Sequence, residues 1–177
     1  DWSTYVDLVR PGCTDSNFTN TSLRWELYHK ICEAPYMIKS NDVYYLTYSA
    51  NHTRNENYAV GYAVSKSPLG PFVKYKNNPI LHKNNDFVGL GHHSFTTTKD
   101  KKTLICSYHC HNSKNNPYPR MFCLSKAQFV EKDNETILEI EDTNKTRRRV
   151  FPNFVSVLED VTTNPDYKNV AIYNRLN

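Results

Sequence analysis

Nowhere in the 177 residues is there a run approaching the roughly 18 to 20 consecutive apolar residues of a membrane helix, so no membrane partner is expected. The start, Asp1-Trp2-Ser3, has neither the basic nor the apolar region of a signal peptide, which suggests a soluble chain processed or truncated at its start. Charge of one sign is also lacking. Lys and Arg total 22 against 18 Asp and Glu, a net +4, which gives no footprint for nucleic acid. The one basic run, Arg147-Arg148-Arg149, reads as a solvated strand end or loop rather than an anion contact. Cys13, Cys32, Cys106, Cys110 and Cys123 include no CxxC pair, so no zinc site is expected. Helical periodicity never persists beyond two turns, which points to an all-β chain.

What the sequence does have is aromatic bulk. Thirteen Tyr, eight Phe and two Trp can supply the core of one globular unit. Cys13 with Cys32, or Cys110 with Cys123, could bridge in an oxidising compartment; buried free thiols are the equal alternative. Asn17, Asn20, Asn51, Asn134 and Asn144 each open an N-x-Ser/Thr sequon, which fits an extracellular, secreted glycoprotein. Chance alone would give on the order of three in a chain so rich in Asn, Ser and Thr.

Short β-like runs broken by turn residues begin at Pro35. Residues 35–39 lead through the turn signal Ser40-Asn41-Asp42 to 43–49, a run rich in aromatic and β-branched residues. A polar loop follows, then 58–65, then the turn Ser67-Pro68-Leu69-Gly70-Pro71, then 72–75. The same order returns about 60 residues on, with 93–98, a charged turn at 99–102, 103–110, a polar loop and 120–125. Two four-stranded antiparallel units, about 33–75 and 91–140, indicate propeller blades; a β-sandwich is the structural alternative. A closed propeller needs at least four blades, so the expected architecture is a single partial propeller domain over 1–177 whose N-terminal blades are missing. Residues 150–158 and 169–173 could add strands, while 1–31 are too irregular for a blade.

Overlaying the units sets Glu33 and Pro35 at the start of one innermost strand opposite Gly91, His92 and His93 at the start of the next. Innermost strands converge on one end of a propeller axis, so the acid and the histidine would face one cavity. Cys32, Ala34 and Pro35 give Glu33 apolar flanks that suit a general acid. By strand alternation His93 points away from the cavity, and His109 and His111 read as packing.

The stretch Glu33-Ala34-Pro35-Tyr36-Met37-Ile38-Lys39, with 43–49 behind it, resembles the segment that carries the general acid in glycoside hydrolase family 43. Gly89-Leu90-Gly91-His92-His93-Ser94-Phe95, followed by Tyr108-His109-Cys110-His111, is similar to that family's next-blade histidine motif. Ser67 to Phe72 matches a turn recurrent between its blades. The resemblance covers roughly residues 32 to 130 and implies a five-bladed β-propeller.

It also implies an inverting glycosidase acting on arabinose- or xylose-containing polysaccharides, in which one carboxylic acid protonates the leaving oxygen and a carboxylate activates water. Glu33 matches the acid, His92 the axial histidine that orients the site or holds a hydrated ion such as Ca2+, and Arg120 the arginine that contacts the glycone. No cofactor is required. The family's aspartate base and the aspartate that tunes the acid precede its Glu-Ala-Pro motif. Asp1, Asp7 and Asp15 stand in no matching strand context, so the isolated chain is expected to be inactive. The competing readings are a non-catalytic carbohydrate-binding or interaction propeller and a purely structural scaffold.

Overall fold

The computed structural model describes Trp25, Glu26, His29 and residues 31–141. Eight strands form two four-stranded antiparallel sheets, each a meander in which every strand pairs with the next. The first contains β1 (Cys32–Ser40), β2 (Val43–Ala50), β3 (Ala59–Ser65) and β4 (Val73–Lys74). The second contains β5 (Gly91–Thr97), β6 (Leu104–Cys110), β7 (Met121–Lys132) and β8 (Glu135–Ile140). These are consecutive propeller blades, with β1 and β5 innermost and in contact. The strands expected at 150–158 and 169–173 lie outside the described residues.

Alternation along β2 divides the first blade into two faces. Tyr45, Thr47 and Ser49 share a face with their β3 partners Val64, Tyr62 and Val60, and this face meets the second blade. The Tyr45 ring packs on Tyr62 and on Phe129, at centroid distances of 5.6 and 4.9 Å. Leu90, Phe95, Tyr108, Leu138 and Ile140 complete this inter-blade core. Fully burying one such side chain contributes about 1.5–3 kcal/mol. The tyrosine hydroxyls are satisfied across the joint: Tyr45 donates to the Thr136 carbonyl at 2.8 Å, and Tyr62 accepts the Leu138 amide at 3.4 Å.

The opposite face centres on Leu46, Ala63 and Phe72, with Tyr48 beside them. Here Trp25 stacks on Tyr48 with ring centroids 6.1 Å apart. Glu26 forms a fully buried ion pair with Lys74 and accepts the Tyr48 hydroxyl at 2.6 Å. Burial beside Glu26 pushes the half-buried Cys32 thiol up to about 12.

Of the proposed cysteine pairs, Cys110 and Cys123 do meet, with sulfurs 3.5 Å apart but unbridged; Cys13 lies outside the described residues. The sequons separate in the same way. Asn51 is fully buried, its amide donating to the carbonyls of Trp25 and Asn57, so the folded chain closes it to glycosylation. Asn134 is exposed in the β7–β8 turn, and Asn17, Asn20 and Asn144 lie outside the described residues.

Candidate active site

Each innermost strand starts with the same irregularity. On β1, Glu33 pairs with Ser49 but Tyr36 pairs with Thr47, so three steps on one strand oppose two on the other. On β5, Gly91 pairs with His109 and Ser94 with Ser107, again three against two. The extra residue is a β-bulge, a device that bends a strand and re-aims a side chain. Ala34 and His92 take the left-handed backbone within these bulges, at φ 51° and 52°.

The bulges bring Glu33 and His92 together, with Glu33 Oε1 3.8 Å from His92 Nδ1 and both side chains open to solvent. Ser49, the β2 partner of Glu33, accepts the His92 backbone amide at 2.8 Å and so ties the two strand starts together. The apolar flanks do not enclose the carboxylate. Its contact is instead polar, the Tyr58 hydroxyl donating to Oε1 at 2.6 Å. That hydroxyl also lies 3.5 Å from His92 Nδ1.

Tyr58 ends the loop between β2 and β3, and its ring is buried. The ring lies against Gly91, where an added Cβ would come within 2.3 Å of it. It stacks on His109 with centroids 5.5 Å apart and an interplanar angle of 6°. Burial first, then the bond to Glu33 and its charge, raises the phenol far above its ordinary range, so Tyr58 keeps its proton and donates it to Glu33.

Arg120, immediately before β7, reaches the same cluster through His109. Its Nη1 lies 3.1 Å from His109 Nε2 and 3.3 Å from Thr53 Oγ1. A guanidinium can only donate, so Nε2 accepts and the His109 proton sits on Nδ1. Burial, then the Arg120 charge, lowers His109 to about 4, in keeping with a neutral ring. Arg54 and Arg120 both lie over the Tyr118 ring, 5.7 and 6.0 Å from its centroid, which makes this rim of the site cationic.

His93 turns inward as alternation requires, buried and bonded to Thr47 Oγ1 at 2.7 Å and Ser49 Oγ at 3.3 Å. His111 is a packing residue that bonds the Thr53 carbonyl at 2.8 Å; its ring occupies the space a side chain at Gly89 would need. His109 is different. It packs, as expected, with its ring stacked on Tyr58, and it also bonds Arg120. Tyr58 and His109 join the cluster around Glu33 from outside both motifs; the available signal was that His109 pairs with Gly91 as Ser49 pairs with Glu33.

Among the described residues no three His, Cys, Asp or Glu side chains converge on a point a metal ion could occupy. The described aspartates, Asp42, Asp86, Asp100 and Asp133, are all exposed in turns or loops, so none partners Glu33. A cavity of about 450 Å3 between Tyr45, Tyr62, Tyr75, Lys76 and Glu135 lies at the outer joint of the blades and includes none of Glu33, His92 or Arg120.

The fold of these two blades has counterparts among solved structures. The sequence pattern of Glycosyl hydrolases family 43 matches residues 11–134. The chain belongs to this family. It is 29% identical over 101 residues to the beta-D-galactofuranosidase xynD of Aspergillus niger, covering 56% of this chain and 29% of that protein. It is 31% identical over 109 residues to an extracellular exo-alpha-(1->5)-L-arabinofuranosidase of Streptomyces avermitilis, covering 58% and 22%. Among solved structures, an endo-1,4-beta-xylanase from Bacteroides thetaiotaomicron superposes with a TM-score of 0.66 at 34% identity, over 81% of this chain and 45% of that one. A thermostable family-43 glycoside hydrolase gives 0.62 at 34% identity, over 71% and 41%. The chain thus spans less than half the length of each of these relatives.

Proposed function

We propose that this family-43 chain carries the general-acid half of an inverting glycosidase that acts on arabinose- or xylose-containing polysaccharides, with Glu33 as the acid. The observation that carries the reading is the Glu33 carboxylate on its bulge, held by one hydroxyl and open to solvent on the side of His92. A general acid must meet the leaving oxygen and give up a proton there, which needs a fixed and accessible carboxyl. His92 and Arg120 orient the sugar beside it. The water-activating carboxylate comes from outside the described residues.

The sugar class rests on the relatives, whose names specify arabinofuranose, galactofuranose and xylan. Secretion belongs to the same proposal, supported by the extracellular Streptomyces relative and the exposed Asn134 sequon. The test is hydrolysis of aryl α-L-arabinofuranosides and β-D-xylosides by the protein that carries this chain, with the first-formed anomer followed by NMR. Release with inversion, lost in Glu33→Gln, is the expected result. No release from either series, with polysaccharide still bound, would favour the non-catalytic binding propeller.

A further inference from the structure

The Tyr58 hydroxyl engages only one of the two oxygens of Glu33, and everything around Tyr58 fixes that choice. Its ring is fully buried, seated on Gly91 and parallel to His109. The backbone is held as well, since the Tyr58 amide donates to the Asn55 carbonyl at 3.0 Å. At 2.6 Å the O–H to Oε1 contact has the length of a hydrogen bond to a charged oxygen. A buried tyrosine whose hydroxyl bonds the reacting carboxyl is placed to act on that carboxyl.

We propose that Tyr58 is the positioning residue of the general acid, holding Glu33 by Oε1 so that the transferable proton resides on Oε2. This rests on the reading of Glu33 as the acid. In the protonated enzyme Oε1 is already an acceptor from Tyr58, which leaves Oε2 as the O–H. During cleavage the Oε2–H bond breaks and the proton passes to the glycosidic oxygen. The electron pair of the breaking C–O bond goes to that oxygen, and the negative charge stays on Glu33. The Tyr58 O–H already points at this charge, so the carboxylate is stabilised as it forms without any group having to turn. Tyr58 loses no proton in the cycle.

Tyr58→Phe removes this donor and keeps the ring that Gly91 and His109 pack against. Proton donation matters most when the leaving oxygen is a poor leaving group. Relative to the unaltered protein, Tyr58→Phe is expected to lower kcat roughly tenfold to a hundredfold for sugar or alkyl leaving groups. For dinitrophenyl glycosides it is expected to change kcat little, with KM similar in both series. Glu33→Gln should show the same selectivity more strongly.

Equal loss for good and poor leaving groups in Tyr58→Phe, beside a selective Glu33→Gln, would overturn the inference and leave Glu33 as the acid. A Glu33→Gln variant that is itself unselective would remove both. A crystal structure of Tyr58→Phe supplies a readout independent of turnover. Glu33 should leave its single orientation, and a carboxylate unmoved in that variant would show that Tyr58 does not position it.

Discussion

Ala34 and His92 are equivalent positions of the fold in two adjacent blades: each is the left-handed position of a β-bulge, at φ 51° and 52°, directly after a paired residue near the start of an innermost strand. The two bulges serve different side chains. On β1 the displaced step presents Glu33, the residue before Ala34, whereas on β5 it presents His92 itself. One repeated backbone device thus delivers an acid and an imidazole to one place, 3.8 Å apart. Neither residue is a glycine, so both bulges are held against the local preference of the chain.

That strain can be measured at Ala34, which has no side-chain chemistry of its own. A left-handed conformation costs a non-glycine residue roughly 1–2 kcal/mol. Ala34→Gly is expected to hold or slightly raise the urea midpoint, the relief of strain being offset by added flexibility of the unfolded chain. Ala34→Val, whose branched Cβ tolerates this region poorly, should lower stability by about 1–2 kcal/mol beyond that. It should also lower turnover, because Glu33 is aimed by this bulge. Equal midpoints for all three chains would mean that the bulge is not strained.

Gly91 tests the seat of Tyr58. A methyl group there would lie 2.3 Å from a ring carbon of Tyr58, and the ring is confined by His109. Gly91→Ala is expected to destabilise by about 1–3 kcal/mol through overpacking. Its effect on glycoside cleavage should follow the leaving-group selectivity of Tyr58→Phe, since both displace the same hydroxyl. Denaturation midpoints and the two substrate series check both halves.

Much of this architecture was legible because the residues that make strands also mark their ends. Aromatic and β-branched residues at 43–49, closed by Ser40-Asn41-Asp42, became β2. The second unit was harder to read. β7 runs on to Lys132 and turns at Asp133-Asn134 into β8, although the polar Lys126, Gln128 and Glu131 dilute the pattern. The unused cue was the Asp133-Asn134 pair, both residues at positive φ, as a two-residue hairpin demands. Glu33 and His92 could be found because each sits in a local motif. Tyr58 could not, because its partner Glu33 is 25 residues away and only the closing of the blade brings the two together.

Glu26 and Lys74 form an ion pair with both side chains essentially out of water, 48 residues apart. Desolvation of two charges offsets much of their attraction, so the pair is a weak source of stability but a costly one to split. Lys74→Met is expected to destabilise by about 3–5 kcal/mol, because it removes a buried positive charge held against the Glu26 carboxylate. The double variant Glu26→Gln with Lys74→Met should lose less than Lys74→Met alone. Urea unfolding of the unaltered chain, Glu26→Gln, Lys74→Met and the double variant tests this, and additive losses would show that the two residues are not coupled.

His93 makes stability depend on pH with a definite sign. Burial, then the charge of neighbouring His92, lowers it from 6.5 to about 4, so the folded chain holds it neutral well below its ordinary value. Its hydrogen bonds suit that state. Thr47 spends its own proton on the Tyr36 carbonyl, so His93 Nε2 donates to Thr47 and Nδ1 accepts from Ser49. Between these two pH values the unfolded chain binds a proton that the folded chain does not. The contribution is therefore fully present above about pH 6.5, is lost as the pH falls, and levels off below about 4. At pH 5 the loss from His93 alone comes to about 2 kcal/mol relative to neutral pH. His93→Gln can still bond Thr47 but cannot take up a proton, so its urea midpoint should fall less between pH 7 and pH 5. A parallel fall in both chains would place the proton uptake elsewhere in the molecule.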